Sequence, residues 1–247
     1  MPRSDFVSFA STRWSLVAAA DASETRRRRA LDELCRTYWR PLYAFLRRGG
    51  CDPPEAEDLV QGFLADLLAR GDINRADPQR GRFRTFLLAA LKHYAAKQRD
   101  AAAAAKRGGR VTTHSLDRRS DLPLDFAAAE AAFRFEPSDD RTPEDVFARQ
   151  WALAVLQTTL ARLEAEQVAA GRGDWFALLK GSLAGEPTRS HQSIADQLGT
   201  TPGTVKAAAA RLRQRYRDLL DAELGDGVVD AQTLAAERAA LLEALQT

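Results

Sequence analysis

The side chains that could carry chemistry in this 247-residue chain are few and scattered. Two cysteines, Cys35 and Cys51, and three histidines, His93, His114 and His191, stand at no spacing that would gather them around a metal. A buried or idle thiol is the ordinary state of such cysteines. The paired carboxylates Asp139 and Asp140 fall in a stretch that reads as linker, where no pocket would perturb them. There is no phosphate-cradling glycine loop, no Ser–His–Asp order and no GxGxxG after a strand. Catalysis is therefore not assigned, and neither a metal nor another cofactor is expected. What remains is charge at chosen places. Lys206, Arg211 and Arg213 stand among small residues; Arg82, Arg84, Lys92, His93, Lys97 and Arg99 are interleaved with aromatics; Glu55, Glu57 and Asp58 lie beside Gln61. The first group suits duplex phosphate, and the second suits a single strand whose bases stack on rings while cations track its backbone. The third suits a basic protein surface.

Elements must position these groups, and the clearest lie between Ser190 and Leu220. Ile194, Ala195 and Leu198 form a helical stripe. Ser190 can cap that helix, and Gly199 can end it with a positive φ. Thr201 caps the next helix and Pro202 fits its first turn, where a missing N–H costs nothing. Val205, Ala208, Ala209, Leu212, Tyr216 and Leu219 continue an apolar face. Two short helices joined by a tight turn make a helix-turn-helix, whose second helix enters the major groove. On this reading Thr201, Pro202, Gly203, Thr204, Ala207 and Ala210 face the groove, with Lys206, Arg211 and Arg213 toward phosphate. An ordinary helical hairpin with a solvated basic face is the competing reading.

Upstream, Leu31 to Leu46 marks a long helix that Pro41 should bend or divide. Residues 1–20 hold enough apolar side chains for a short tethered helix. Asp52-Pro53-Pro54 starts a helix that carries Glu55, Glu57 and Asp58 near its positive end and runs to about Gly71. A further helix passes through Leu87, Leu91 and Tyr94 and can extend through Ala101–Ala105 to Lys106-Arg107; Phe83, Phe86 and Leu87 read as its core side. Residues 108–142 read as a linker, partly ordered at most, with a short helical pattern around Phe126–Phe133. Thr142-Pro143-Glu144-Asp145 opens a long helix, and Trp175–Leu183 leads into the helix-turn-helix. Ala231–Leu245 is an amphipathic helix appended to the reader, where it packs back on the domain or serves regulation.

Strand signals are scarce, so the fold class is all-α: two helical domains joined by a linker, with a C-terminal helical extension. The expected boundaries are 1–107, 108–142, 143–225 and 226–247. Hydrophobic residues make up 45% and charged residues 28%, the balance of a globular protein, and the net charge is only +2. Positive charge is local, which matters more for a DNA partner. No signal peptide opens the sequence and no apolar run approaches the ~20 residues of a membrane span, so a cytoplasmic location without membrane contact is expected.

Several of these segments resemble those of bacterial RNA polymerase sigma factors of the sigma-70 family. GTTPGTVKAAAARLRQRYRDLL is similar to their promoter-reading helix-turn-helix, with its G-x-x-x-G-T-V-K core. DPPEAEDLVQGFLADLL resembles the segment that docks on the polymerase β′ clamp helices, with Asp58-Leu59-Val60-Gln61 at its D-x-V-Q core. The stretch from Asp77 to Arg99 resembles the part that opens and captures the −10 element, with Phe86 where the family usually has Trp and His93 where it has Asn. Compact members carry an L-P-x-x-x-R-x-V-F-like segment; LEAEQVAAGRGDWFALLKGSL stands here and resembles a longer subgroup related to the extracytoplasmic-function class. The resemblance covers about residues 25–107 and 143–222. It implies core RNA polymerase, through its β′ clamp helices and β flap, and promoter DNA as partners, with an anti-sigma protein or a regulatory kinase as conceivable controls. Glu55, Glu57, Asp58 and Gln61 would hold the polymerase. Arg82, Arg84, Lys92, His93, Lys97 and Arg99 would approach the −10 strand, and residues 201–213 would read the −35 element. With alanines on the groove face, that reading would rest substantially on DNA shape.

Rival readings explain less. A helix-turn-helix repressor or activator accounts for 190–220 but leaves the acidic helix and the basic-aromatic segment unused. A recombinase-like enzyme would need a catalytic cluster. An inactive protein that titrates a regulator would fail to start transcription.

Overall fold

The computed structural model describes residues 24–70, 83–106, 124–134, 140–184, 189–225 and 231–246. The described residues form α-helices and one 3-10 turn, with no strand among them. In chain order the helices are α1 (Glu24–Arg48), α2 (Pro53–Arg70), α3 (Phe83–Lys106), α4 (Phe126–Arg134), α5 (Pro143–Ala169), α6 (Gly173–Leu179), α7 (His191–Leu198), α8 (Pro202–Leu224) and α9 (Ala231–Gln246). The 3-10 turn Lys180–Ala184 follows α6 directly. The expected helix in residues 1–20, Arg82 and the segment 107–123 lie outside the described residues.

The chain divides into two units, residues 1–154 with 226–247, and residues 155–225. The dividing point falls within α5, whereas the sequence suggested 142–143. The chain leaves the first unit at 154 and returns to it with α9, which the sequence had attached to the reader.

In the first unit α1 runs unbroken through Pro41. Proline deletes one backbone hydrogen bond, but Tyr38, Trp39, Leu42 and Tyr43 on either side are all buried, and their packing outweighs that loss. Asp52 caps α2 by accepting from the Glu55 N–H at 2.8 Å. The buried stripe Ala56, Leu59, Val60, Phe63, Leu64 and Leu67 faces the core, which leaves the acidic row outside. Gly62 meets α3 closely: a Cβ there would run into the Tyr94 hydroxyl. On α3 the inward stripe is Phe83, Leu87, Leu91 and Ala95.

The linker region contributes α4 to this unit. Phe126 stacks edge-on against Trp39 with ring centroids 5.0 Å apart. Glu130 accepts from Arg47 Nε at 2.8 Å, Arg47 Nη2 at 3.0 Å and the Tyr43 hydroxyl at 2.9 Å. These bonds hold the Glu130 carboxyl at about 2, the Arg47 guanidinium being the chief cause. Burial first, and then Glu130, pushes the Tyr43 phenol up to about 12. Thr142 and Asp145 cap α5 reciprocally: the Asp145 N–H donates to Thr142 Oγ1 at 3.2 Å, and the Thr142 N–H to Asp145 Oδ2 at 3.0 Å.

The second unit has its own core. Leu163 of α5, Phe176 and Leu179 of α6, Ile194 and Ala195 of α7, and Val205, Ala209, Leu212 and Leu219 of α8 are buried together. Arg215 braces α8 on α5 through a two-pronged pair with Glu166, both bonds 2.8 Å. That pairing lowers the pKa of the Glu166 carboxyl.

Candidate nucleic-acid interface

The turn between α7 and α8 is built as its residue types demand. Ser190 caps α7, its hydroxyl accepting from the Ser193 N–H at 3.2 Å. Gly199 ends α7 at φ 63° and ψ 38°, a left-handed conformation that glycine adopts without a Cβ clash. The Thr200 N–H then returns to the Ala195 carbonyl at 2.9 Å. Thr201 caps α8, accepting from the Thr204 N–H at 3.2 Å, and Pro202 sits in the first turn. Because the Thr201 hydroxyl is occupied by this cap and by Thr204 Oγ1 at 2.9 Å, its work is local. Ile194 and Ala195 meet Val205 and Ala209 in the core, which fixes α8 across α7.

This packing sorts α8 into two faces. Val205, Ala209, Leu212 and Leu219 point inward. Thr201, Pro202, Gly203, Thr204, Lys206, Ala207, Ala210 and Arg211 are exposed, and Arg213 is half-buried. From Pro202 to Arg213 the face extends about 16 Å at 1.5 Å per residue, a length that a major groove accepts. Small side chains make its floor and cations its margins. A Cβ at Gly203 would meet nothing nearer than Thr201 Oγ1 at 3.8 Å, so the fold does not require glycine there. Arg215, by contrast, is committed to Glu166.

The α3 cations divide in an unexpected way. His93, Lys97 and Arg99 are exposed, with His93 and Lys97 one turn apart on the same side. Arg99 lies near Cys51, whose thiol pKa is raised, by burial first. Lys92 is exposed, but its ammonium pairs with Glu144 at 2.6 Å and stands 5.4 Å over the Phe45 ring. Arg84 is turned inward: it pairs with Glu237 of α9 and lies 4.1 Å over the Trp151 ring. Phe83 and Leu87 are core, as the periodicity suggested, whereas Phe86 is half-buried.

On α2, Glu55 and Asp58 are exposed while Glu57 and Gln61 are half-buried. Gln61 Nε2 donates to Glu57 Oε1 at 3.2 Å, tying two members of the row together. Carboxylates with an amide at helical spacing thus look outward over a buried stripe.

Sequence reasoning missed Glu130 and Glu237. Only Glu237 left a signal, as an acid in register with Leu234 and Leu241. Among the described residues no group of three or more His, Cys, Asp or Glu could hold a metal ion, and no helix is long and apolar enough to cross a membrane. Cys35 and Cys51 are buried free thiols. In comparisons with known proteins, no family model, curated protein or solved structure matches the chain.

Proposed function

We propose that this chain is a promoter-recognition subunit of bacterial RNA polymerase, a sigma factor of the sigma-70 family resembling a longer extracytoplasmic-function subgroup. The observation that carries this reading is the exposed face of α8, small-floored and flanked by cations, set on a doubly capped turn, in the same chain as an outward acidic row on α2. A DNA reader alone does not need the second surface.

In this mechanism Glu55, Glu57, Asp58 and Gln61 hold the factor on core polymerase. His93, Lys97 and Arg99, with Lys92, approach the −10 strand through phosphate attraction and base capture. Lys206, Arg211 and Arg213 seat α8 on the −35 duplex, mostly through phosphates, which position without specifying sequence. Ala207 and Ala210 offer apolar contact to thymine methyls. Sequence preference then rests on DNA shape more than on hydrogen bonds to bases.

The test is run-off transcription with core RNA polymerase, comparing wild type with Asp58→Lys on templates from the protein's own genome. Discrete starts that vanish with the charge reversal are expected. Starts that persist in the variant would move the docking site elsewhere. No starts, with sequence-specific duplex binding retained, would favour a helix-turn-helix regulator without polymerase docking. One observation speaks for that second reading: Arg84 and Lys92 are both engaged by carboxylates of the same chain.

A further inference from the structure

α9 carries a charge where its pattern calls for hydrocarbon. Its inward stripe runs Leu234, Glu237, Leu241 and Ala244, and Glu237 is only 7% exposed within it. A carboxylate in such a stripe is strongly disfavoured unless an opposite charge meets it. Arg84 supplies one: its Nη1 bonds Glu237 Oε2, and its guanidinium is held over the Trp151 ring. Two residues before that tryptophan, Arg149 donates to the Leu245 carbonyl at 3.1 Å and fastens the other end of the helix. A cation on the strand-facing helix α3 is thus covered by a carboxylate, which offers guanidinium the same paired oxygens as a backbone phosphate. A permanent brace would be served as well by hydrocarbon at both 84 and 237, since apolar replacements of whole buried ion pairs are commonly neutral or stabilising.

We propose that α9 is an internal competitor for single-stranded nucleic acid: Glu237 occupies the Arg84 guanidinium in place of a backbone phosphate. Docking of α9 and binding of a strand exclude one another at this residue. The inference rests on the reading of α3 as strand-facing and does not require polymerase.

Fluorescence anisotropy of the full chain with a labelled single-stranded oligothymidine tests it. Glu237→Gln is expected to tighten binding about three- to ten-fold at low salt and to steepen the log–log salt dependence by about 0.7, the signature of one added phosphate contact on a single strand. Adding Arg84→Ala returns affinity and slope to the wild-type values. Leu241→Ala, which loosens α9 without touching the charge pair, tightens binding as well. Unchanged affinity and slope in both single variants, with helical circular dichroism intact, would overturn the proposal. So would loss of helical signal in both, which would make α9 a brace. Run-off transcription on the same proteins separates the two readings. Tighter strand binding without any starts sinks the sigma reading and leaves the competition standing; starts with unchanged strand affinity do the reverse.

Discussion

Gly203 is where helix stability and approach to a partner pull in opposite directions. It lies in the first turn of α8, exposed, where a Cβ would make only an ordinary contact with Thr201 Oγ1 at 3.8 Å. Alanine there is expected to stabilise the helix by up to about 1 kcal/mol, because glycine loses more backbone freedom on folding. On the proposed DNA-reading role the added methyl would also hold the α8 N-terminus off a duplex, so Gly203→Ala should raise the melting temperature while weakening binding to −35-like DNA. Paired melting and anisotropy measurements check this; unchanged DNA affinity would remove Gly203 from the interface. The residue scale also shows why charge alone was a poor guide to the α3 cations. Arg84, Lys92 and Lys97 are equally cationic in the sequence, yet one is stacked and paired, one is paired at the surface, and the third is exposed.

At the scale of elements, the short helix α4 shows how a segment that reads as linker becomes part of a core. Phe126 supplies apolar contact, and Glu130 supplies a carboxylate bonded to Arg47, Tyr43 and Arg134. The folded Glu130 pKa of about 2 lies below its ordinary 4.5. Its contribution is therefore fully present above that ordinary value and is lost as pH falls from there toward 2. The shift corresponds to roughly 3 kcal/mol at most. Glu130→Gln should destabilise the protein at neutral pH and flatten the acid limb of its stability curve, as urea titrations at several pH values would show. An acid limb unchanged in the variant would assign the pH dependence to other carboxylates. The distant partners Arg47 and Tyr43 left no local trace beside Glu130, since sequence periodicity reports only on neighbours within a turn or two.

At the scale of the molecule, two units with separate buried cores share the helix α5, and the chain comes back to the first unit after completing the second. A cavity made in one core should chiefly weaken that unit. Val205 is completely buried, so Val205→Ala is expected to cost the 155–225 unit roughly 2 kcal/mol. Scanning calorimetry should then show one transition displaced and the other in place. A single transition moving as a whole would mean that the two units unfold together.

The sequence by itself determined most of the helices and the ends of those that meet at the α7–α8 turn, while Pro41 left α1 whole and α4 emerged from a stretch that reads as linker. Ser190, Gly199, Thr201 and Pro202 specify the turn between α7 and α8 through their own backbone preferences and caps. The stripes of α2, α3 and α8 follow from a periodicity that any helix must obey. Tertiary structure alone decided which charged side chains remain exposed and where α9 docks. Local rules assign a residue to a face. Only the folded chain brings Glu130 to Arg47 and Glu237 to Arg84, across 83 and 153 positions of sequence. Such pairings depend on how whole helices pack, and no spacing within a single helix encodes them.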